Sequence, residues 1–444
     1  MGKGHGFALD KPERGGLPFP QQSNDPGQQP GGALEVGKLE SATAEPESTL
    51  PKGWLGILTI VVMVCGPSMV GMMLTICLPI LPNMVAAVHG DKAALISMPT
   101  AGIVVGGILA GFLLSRMSAR TLMLTMIALF GVIGAAGMAL EGNALLISRF
   151  LTGVVATCVS AASTTLIGEH IPLKIRPRVL GMQMAGSSLA GIVAMNISGA
   201  LTQNFGWHAS FTLFPIIAII LLVPGVMLLP GSQARAAGEK TSRAGWNLIF
   251  QMWPVYLFLL VMNATVYTSN SQTPFIMADL GVIDSAVRAH LQSINQTLIV
   301  LSAFAYPLTR RFLGSRWIPA FFLTMAGIGL VLLGSAHSTL QVGIALAFTG
   351  IGSGTLFPHQ SNLILSRATP EIRGRAVGLM VSNQFLADTI NPYVYPPLAV
   401  AVGGLGNSII AVGLACGVGM LFALFYGART NNVPLTAEAK GYGH

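Results

Sequence analysis

From Trp54 onward the sequence is a succession of twelve apolar segments, and that succession decides the solvent. Their approximate bounds are 55–81, 94–115, 121–140, 143–168, 178–202, 209–230, 248–272, 286–309, 317–336, 340–366, 376–400 and 404–427. Each is long enough to cross the ~30 Å hydrocarbon core of a bilayer as a helix. Charged residues make up 9% of the chain, against about 25% in soluble domains, and mean hydropathy is +0.68. Such a chain cannot cover itself with a polar surface, so its solvent is lipid. The formal charge of +8 does not indicate a nucleic-acid partner, because the cations sit between apolar segments and form no basic patch.

The cations instead set topology. Alternate loops hold Arg116 and Arg120; Lys174, Arg176 and Arg178; Arg235, Lys240 and Arg243; Arg310, Arg311 and Arg316; Arg367, Arg373 and Arg375. The opposite loops hold Lys92 and Arg288, and Arg149 falls inside a segment. This bias predicts both termini in the cytoplasm. All 5 tryptophans (Trp54, Trp207, Trp246, Trp253, Trp317) fall at segment ends, where amphipathic rings prefer to sit.

A short pattern repeats. Ile175-Arg-Pro-Arg-Val-Leu-Gly181 has a partner in Ile372-Arg-Gly-Arg-Ala-Val-Gly378, and Leu114-Ser-Arg116 is echoed at nearly the same displacement by Leu308-Thr-Arg310. Two arginine-bearing loops recurring between apolar segments predict a duplicated half in the same orientation. The predicted organisation is a cytoplasmic tail over 1–52, a six-helix bundle over 53–230, a linker over 231–247, a second six-helix bundle over 248–428 and a tail over 429–444. The first tail is rich in Gly, Pro, Gln and Glu and reads as disordered. The four cysteines (Cys65, Cys77, Cys158, Cys416) fall inside apolar segments with no paired spacing, so they read as packing residues and not as a metal or disulfide framework.

Twelve spans in two halves, with an Arg-rich loop after the second span, resemble the major facilitator superfamily. Gly111-Phe-Leu-Leu-Ser-Arg-Met-Ser-Ala-Arg120 is similar to that family's G-x-L-a-D-R-x-G-R-[RK] loop, departing at the acid (Ser115) and the second glycine (Ser118). Arg149-Phe-Leu-Thr-Gly153 matches its fourth-span R-x-x-x-G signature, whereas Ala194-Met-Asn-Ile-Ser-Gly199 keeps only the last glycine of the fifth-span G-P-x-x-G-G run. The tenth and eleventh spans look most similar to the drug and sugar efflux branch. The resemblance implies an all-α membrane fold and alternating access, with Gly111, Arg116, Arg120, Arg176, Arg178, Arg373 and Arg375 in the loops that gate it. Small residues every four positions (Gly102, Gly106, Ala110; Gly186, Ala190, Ala194, Ser198) read as the surfaces on which the halves rock.

A few polar residues lie where lipid or core is expected. Asp388 is about 18 Å along the eleventh span, near mid-membrane. Intramembrane acids line a water-filled path or have a partner, and burial moves a carboxyl toward the neutral range that a proton carrier needs. The alternative is a protonated packing residue. Arg149 belongs either to a cavity, with Ser160 on its face of the fourth span, or to the outer headgroups by snorkelling. Asn263, Tyr267 and Asn270 in the seventh span, with Gln292, Asn295 and Gln296 in the eighth, suit a substrate bearing hydroxyl or carbonyl groups, or equally interhelical hydrogen bonds. His359 is either a cap near the inner end of the tenth span or a second proton carrier.

The expected function is secondary active transport of a small organic molecule, as proton-coupled efflux with Asp388 and Arg149 coupling the proton. A symporter or uniporter for uptake is the alternative. No H-E-x-x-H, G-x-S-x-G or G-x-x-x-x-G-K-[ST] motif occurs, so an enzyme, sensor or ATP-driven pump is disfavoured and no cofactor or metal is expected. The expected setting is a bacterial inner membrane, with the chain a multi-pass monomer whose partners are substrate, protons and lipid.

Overall fold

The computed structural model describes residues 53–172, 175–231, 251–368 and 373–429, so the predicted tails and most of the linker lie outside the described residues. Among the described residues the regular structure is all helical. The first apolar segment is broken: α1 spans Trp54–Cys65, α2 spans Ser68–Cys77, and a 3-10 turn and one helical turn carry the chain to Met84. There follow α3 (Lys92–Leu114), α4 (Ala119–Ala136), α5 (Gly142–His170), α6 (Arg176–Phe205) and α7 (Leu213–Leu228). Beyond the undescribed stretch come α8 (Trp253–Asp279), α9 (Ser285–Leu313), α10 (Ile318–Gly334), α11 (Thr339–Leu365), α12 (Arg373–Val402) and α13 (Leu405–Arg429).

Several starts are capped by local chemistry. Asp91 accepts from the Ala94 amide at 2.8 Å, Asp284 from the Ala286 amide at 2.8 Å, and Ser338 from the Gln341 amide at 3.3 Å. The break between α1 and α2 follows from Pro67, which has no N–H to give the Met63 carbonyl. Ser163 Oγ from α5 donates to that carbonyl instead, joined by Gln183 Nε2 from α6 at 3.4 Å. The two pieces of the first span meet at 50°. A second sharp bend, 104°, separates α12 from α13 at Gly403-Gly404, whose φ values of 80° and 142° favour glycine.

By length and apolarity, seven helices among the described residues could cross a membrane, or nine if each bent pair is one span. Twelve were predicted from the segments, and the shortfall has local causes. The first span is in pieces, α12 and α13 meet at a bend, and α8 and α9 carry polar side chains that lower their hydropathy. In α8, for example, Thr265 to Thr273 contains seven hydroxyl or amide residues in addition to Tyr267. Large apolar side chains such as Ile108, Val132, Ile220, Phe304 and Val418 point outward, more than half exposed, as expected of a multi-pass membrane protein.

The packing repeats in chain order. In the first part α2 packs with α6, α3 with α5, α4 with α5, and α4 with α7. In the second, α8 packs with α12, α9 with α11, α10 with α11, and α10 with α13. Buried apolar residues form one cluster drawn almost wholly from Val62–Leu229 and two from Met252–Cys416. The two parts meet chiefly where α3 packs on α12 and α6 on α9.

The small-residue stripes do not supply those meeting surfaces. A Cβ on Gly102 would sit 2.0 Å from the Phe150 carbonyl oxygen, and one on Gly153 would sit 2.1 Å from that of Pro99. Gly102 and Gly106 therefore allow α3 and α5 of one part to touch backbone to backbone. Ser198 likewise donates to the Ile76 carbonyl of its own part, at 2.5 Å. The α6 glycine that faces α9 is Gly199, where an added Cβ would sit 2.7 Å from that of Ala289.

Candidate functional site

Asp388 lies midway along α12 and is 6% exposed. Tyr267 of α8 lies near it and near Gln384, one turn before Asp388. One turn beyond, Asn391 Nδ2 donates to the Ala264 carbonyl at 2.7 Å and to Thr268 Oγ1 at 3.0 Å. Its Oδ1 accepts from Ser271 Oγ at 3.2 Å. Tyr395 OH donates to Thr268 Oγ1 at 2.6 Å. Asn263, fully buried on α8, donates through Nδ2 to Gln360 Oε1 of α11 at 3.1 Å. The acid thus sits among neutral amides and hydroxyls, and among the described residues no cation pairs with it. A bare carboxylate out of water is costly, so loss of the proton must coincide with access of water or a cation.

Arg149 is not brought to Asp388. It is 3% exposed on α5, and Nη2 donates to the Met73 carbonyl of α2 at 3.3 Å. Its Nε and Nη1 have no hydrogen-bond partner among the described residues. The guanidinium is therefore inside the protein and not at the headgroups.

The other candidates divide. Gln292 is 4% exposed and neither amide atom has a partner, whereas Asn295 Nδ2 holds α11 through the Leu346 carbonyl (3.0 Å) and Thr349 Oγ1 (2.8 Å). Asn270, Gln296 and Ser160 are half-buried. His359 is buried on α11, with Nδ1 3.5 Å from Tyr306 OH of α9. Of the loop residues, Gly111 has open space where a side chain would be, and the Arg116 guanidinium lies 4.4 Å from the Phe112 ring centre. Arg120 Nη2 donates to the Val226 carbonyl at 2.8 Å, and Arg176 Nη2 to those of Gly168 (2.6 Å) and Ile171 (3.0 Å). Arg178 is exposed. Arg373 and Arg375 begin α12, their side chains lying outside the described set.

A row of polar contacts joins the two parts toward the end that carries Lys92 and Asp284. Ser97 Oγ donates to Tyr393 OH and Thr389 Oγ1 to Thr100 Oγ1, both at 3.0 Å. Asn196 Nδ2 donates to Ser293 Oγ at 2.7 Å, Ser285 Oγ to the Gly199 carbonyl at 2.8 Å, and Gln203 Nε2 to Asp284 Oδ2 at 2.9 Å. Arg288 Nη2 reaches Asn83 Oδ1. A cavity of about 220 Å³ adjoins this row, lined among others by Lys92, Ile96, Gln272, Phe275 and Tyr395, and it includes neither Asp388 nor Arg149.

Sequence reasoning missed Gln183, Asn196, Gln360, Gln384 and Asn391, which were visible only as amides inside apolar segments. It also assigned Arg288 to a loop, whereas Arg288 occupies the first turn of α9 and is 2% exposed. Among the described residues no cluster of three or more His, Cys, Asp or Glu could hold a metal, and all four cysteines are free.

Known proteins of similar sequence are transporters. A cis,cis-muconate transport protein of Acinetobacter baylyi is 25% identical over 342 residues, covering 72% of this chain and 82% of that one. A 4-hydroxybenzoate transporter of the same organism is 29% identical over 132 residues, 30% of this chain and only 29% of that protein's length. An efflux pump of Ustilaginoidea virens is 33% identical over 125 residues, 27% of this chain and 23% of its own. Among solved structures, a D-xylose-proton symporter superposes with a TM-score of 0.68 at 16% identity, over 86% of this chain and 98% of that one. The profile of the Major Facilitator Superfamily matches residues 63–392, well over half of the chain, and the chain belongs to that family.

Proposed function

We propose that this chain is a secondary active transporter that moves a small organic molecule by alternating access, coupled to protons through Asp388 and working as an exporter. The observation that carries this is the position of Asp388. It is buried in the polar C-terminal cluster, and its chain neighbour Thr389 makes a contact between the two parts. Any motion that parts α12 from α3 changes what surrounds the carboxyl, and a proton carrier needs that change. Twelve spans in two six-helix bundles accord with the repeated packing order, and cytoplasmic termini accord with the placement of the basic loops. On that topology the structure is a state closed on the outer side. Arg149, with two unpartnered nitrogens, is the cation that an opened cavity would expose. One copy of the chain contains every group the reading uses.

Uptake by proton symport is the second reading, favoured by the fifth-span signature, which lacks its proline and paired glycines. A pH-gradient experiment in proteoliposomes separates the two. Labelled 4-hydroxybenzoate or muconate is loaded by counterflow, and the gradient is then imposed in either direction. Exchange predicts that substrate accumulates in the acidic compartment, against the direction of proton flow, and symport predicts that it accumulates in the alkaline one. Transport indifferent to the gradient overturns proton coupling in both forms.

A further inference from the structure

The buried polar atoms that lack partners concentrate on α9. Arg288 Nε, both amide atoms of Gln292 and Asn295 Oδ1 are unpartnered, and the three residues are respectively 2%, 4% and 3% exposed. They fall at i, i+4 and i+7, one face of the helix. The neighbours of α9 show where that face looks. Ser285 and Ala289 meet Gly199 on α6, and Asn295 is bonded to α11. Ile294, Leu301, Phe304 and Leu308 point outward on the opposite side. Arg288 and Gln292 therefore lie on the arc between α6 and α11, directed to the middle of the molecule. Arg288 has one neutral acceptor, Asn83. The acid in its field, Asp284, is engaged elsewhere: Oδ1 accepts from the Ala286 and Val287 amides, and Oδ2 accepts from Gln203. A buried guanidinium with so little compensation needs an anion at some point in the cycle.

We propose that Arg288 and Gln292 form the carboxylate-binding half of the substrate site, and that the substrate is a small organic acid carrying a hydroxyl or amino group. This rests on the transport reading but not on its proton coupling. The carboxylate accepts from Arg288 Nε and Gln292 Nε2, as charge-assisted hydrogen bonds. The substrate's donor is received by Asn295 Oδ1, which calls for about 5–10 Å between the two ends of the molecule at 1.5 Å of rise per residue. Arg288 exchanges Asn83 for the carboxylate when the seam opens.

The test measures equilibrium binding to the full-length protein in lipid, with no pH gradient, using 4-hydroxybenzoate, benzoate and 4-hydroxybenzamide. Wild type is expected to bind 4-hydroxybenzoate about ten-fold to a hundred-fold tighter than the uncharged amide. Arg288→Gln should erase that preference and Arg288→Lys should keep part of it. Benzoate, which lacks the hydroxyl, should bind wild type more weakly than 4-hydroxybenzoate. Gln292→Leu removes one donor to the carboxylate and should reduce the preference for 4-hydroxybenzoate over the amide. Where Arg288→Gln does not fold, an unchanged preference in Gln292→Leu overturns the proposal. Asn83→Ala should leave the carboxylate preference intact. The proposal is overturned if wild type binds none of the carboxylates, if Arg288→Gln keeps the preference, or if Asn83→Ala loses it as Arg288→Gln does, which would make Arg288 a seam residue. Gradient-independent carboxylate binding with these variant effects would uphold the site even where proton coupling fails. Proton-driven transport of a molecule without a carboxylate would uphold coupling and sink the site.

Discussion

Thr389 Oγ1 on α12 donates a hydrogen bond to Thr100 Oγ1 on α3 at 3.0 Å, one residue beyond the buried Asp388. The acid proposed to carry the proton and a contact between the two parts are thus adjacent on one helix. Motion at the seam cannot leave the carboxyl's surroundings unchanged, and this link from packing to chemistry yields the first two predictions.

Asp388→Asn keeps the shape of the side chain and removes its titration. With one proton per substrate, a gradient of one pH unit drives about ten-fold accumulation in wild type. The variant should show a ratio near one while exchanging labelled substrate at equilibrium. Between pH 6 and 8 its exchange rate should vary less than that of wild type. Gradient-driven accumulation by Asp388→Asn at the wild-type level would make Asp388 a packing residue.

Thr100→Cys with Thr389→Cys should form a disulfide under mild oxidation, because two Oγ1 atoms 3.0 Å apart put the sulfurs that replace them within reach of each other. The bond should hold α3 on α12 and stop transport, and reductant should restore it. Full transport with the cross-link formed would mean that this end does not open.

Pro67→Ala supplies the amide that the Met63 carbonyl lacks. The first span should straighten, with thermal stability in detergent within about 1 kcal/mol of wild type, since the intrahelical bond gained competes with those the Met63 carbonyl already accepts from Ser163 and Gln183. Turnover should fall if the 50° break is a moving part. An unchanged rate would show that the break only shapes the packing.

Gly153→Ala should lower stability by roughly 1–3 kcal/mol, because its Cβ would meet the Pro99 carbonyl oxygen at 2.1 Å and two backbones would have to separate. Gly111→Ala, which meets nothing within 4 Å, should lie within about 0.5 kcal/mol of wild type. Thermal melts of the two variants in one detergent compare them, and equal melting temperatures would contradict the α3–α5 contact.

Most of the fold was legible because lipid is a demanding solvent. Apolar segments of sufficient length must be helices, and Asp388 and Arg149 stand out in such runs by their charge alone. The repeated I-R-x-R-x-x-G pattern suggested a duplication, a proposal with which the packing order α2–α6 and α8–α12, α3–α5 and α9–α11 accords. The site was legible only in part. The sequence put Gln292 and Asn295 on one face, yet Asn295 spends its Nδ2 on holding α11 while neither amide atom of Gln292 has a partner.

By itself, then, the sequence determined the solvent, the helical class and two of the places where charge is buried, Asp388 and Arg149, since these follow from composition and from a period of 3.6 residues. Tertiary structure decided which neighbour each face meets. It turned the Gly102 and Gly106 stripe toward α5, brought Arg288 inside, and gave the Met63 carbonyl to Ser163. The physical reason is that helical periodicity fixes the direction of a side chain about its own axis, whereas its partner is fixed by close packing among residues that here lie 48 to 205 positions apart.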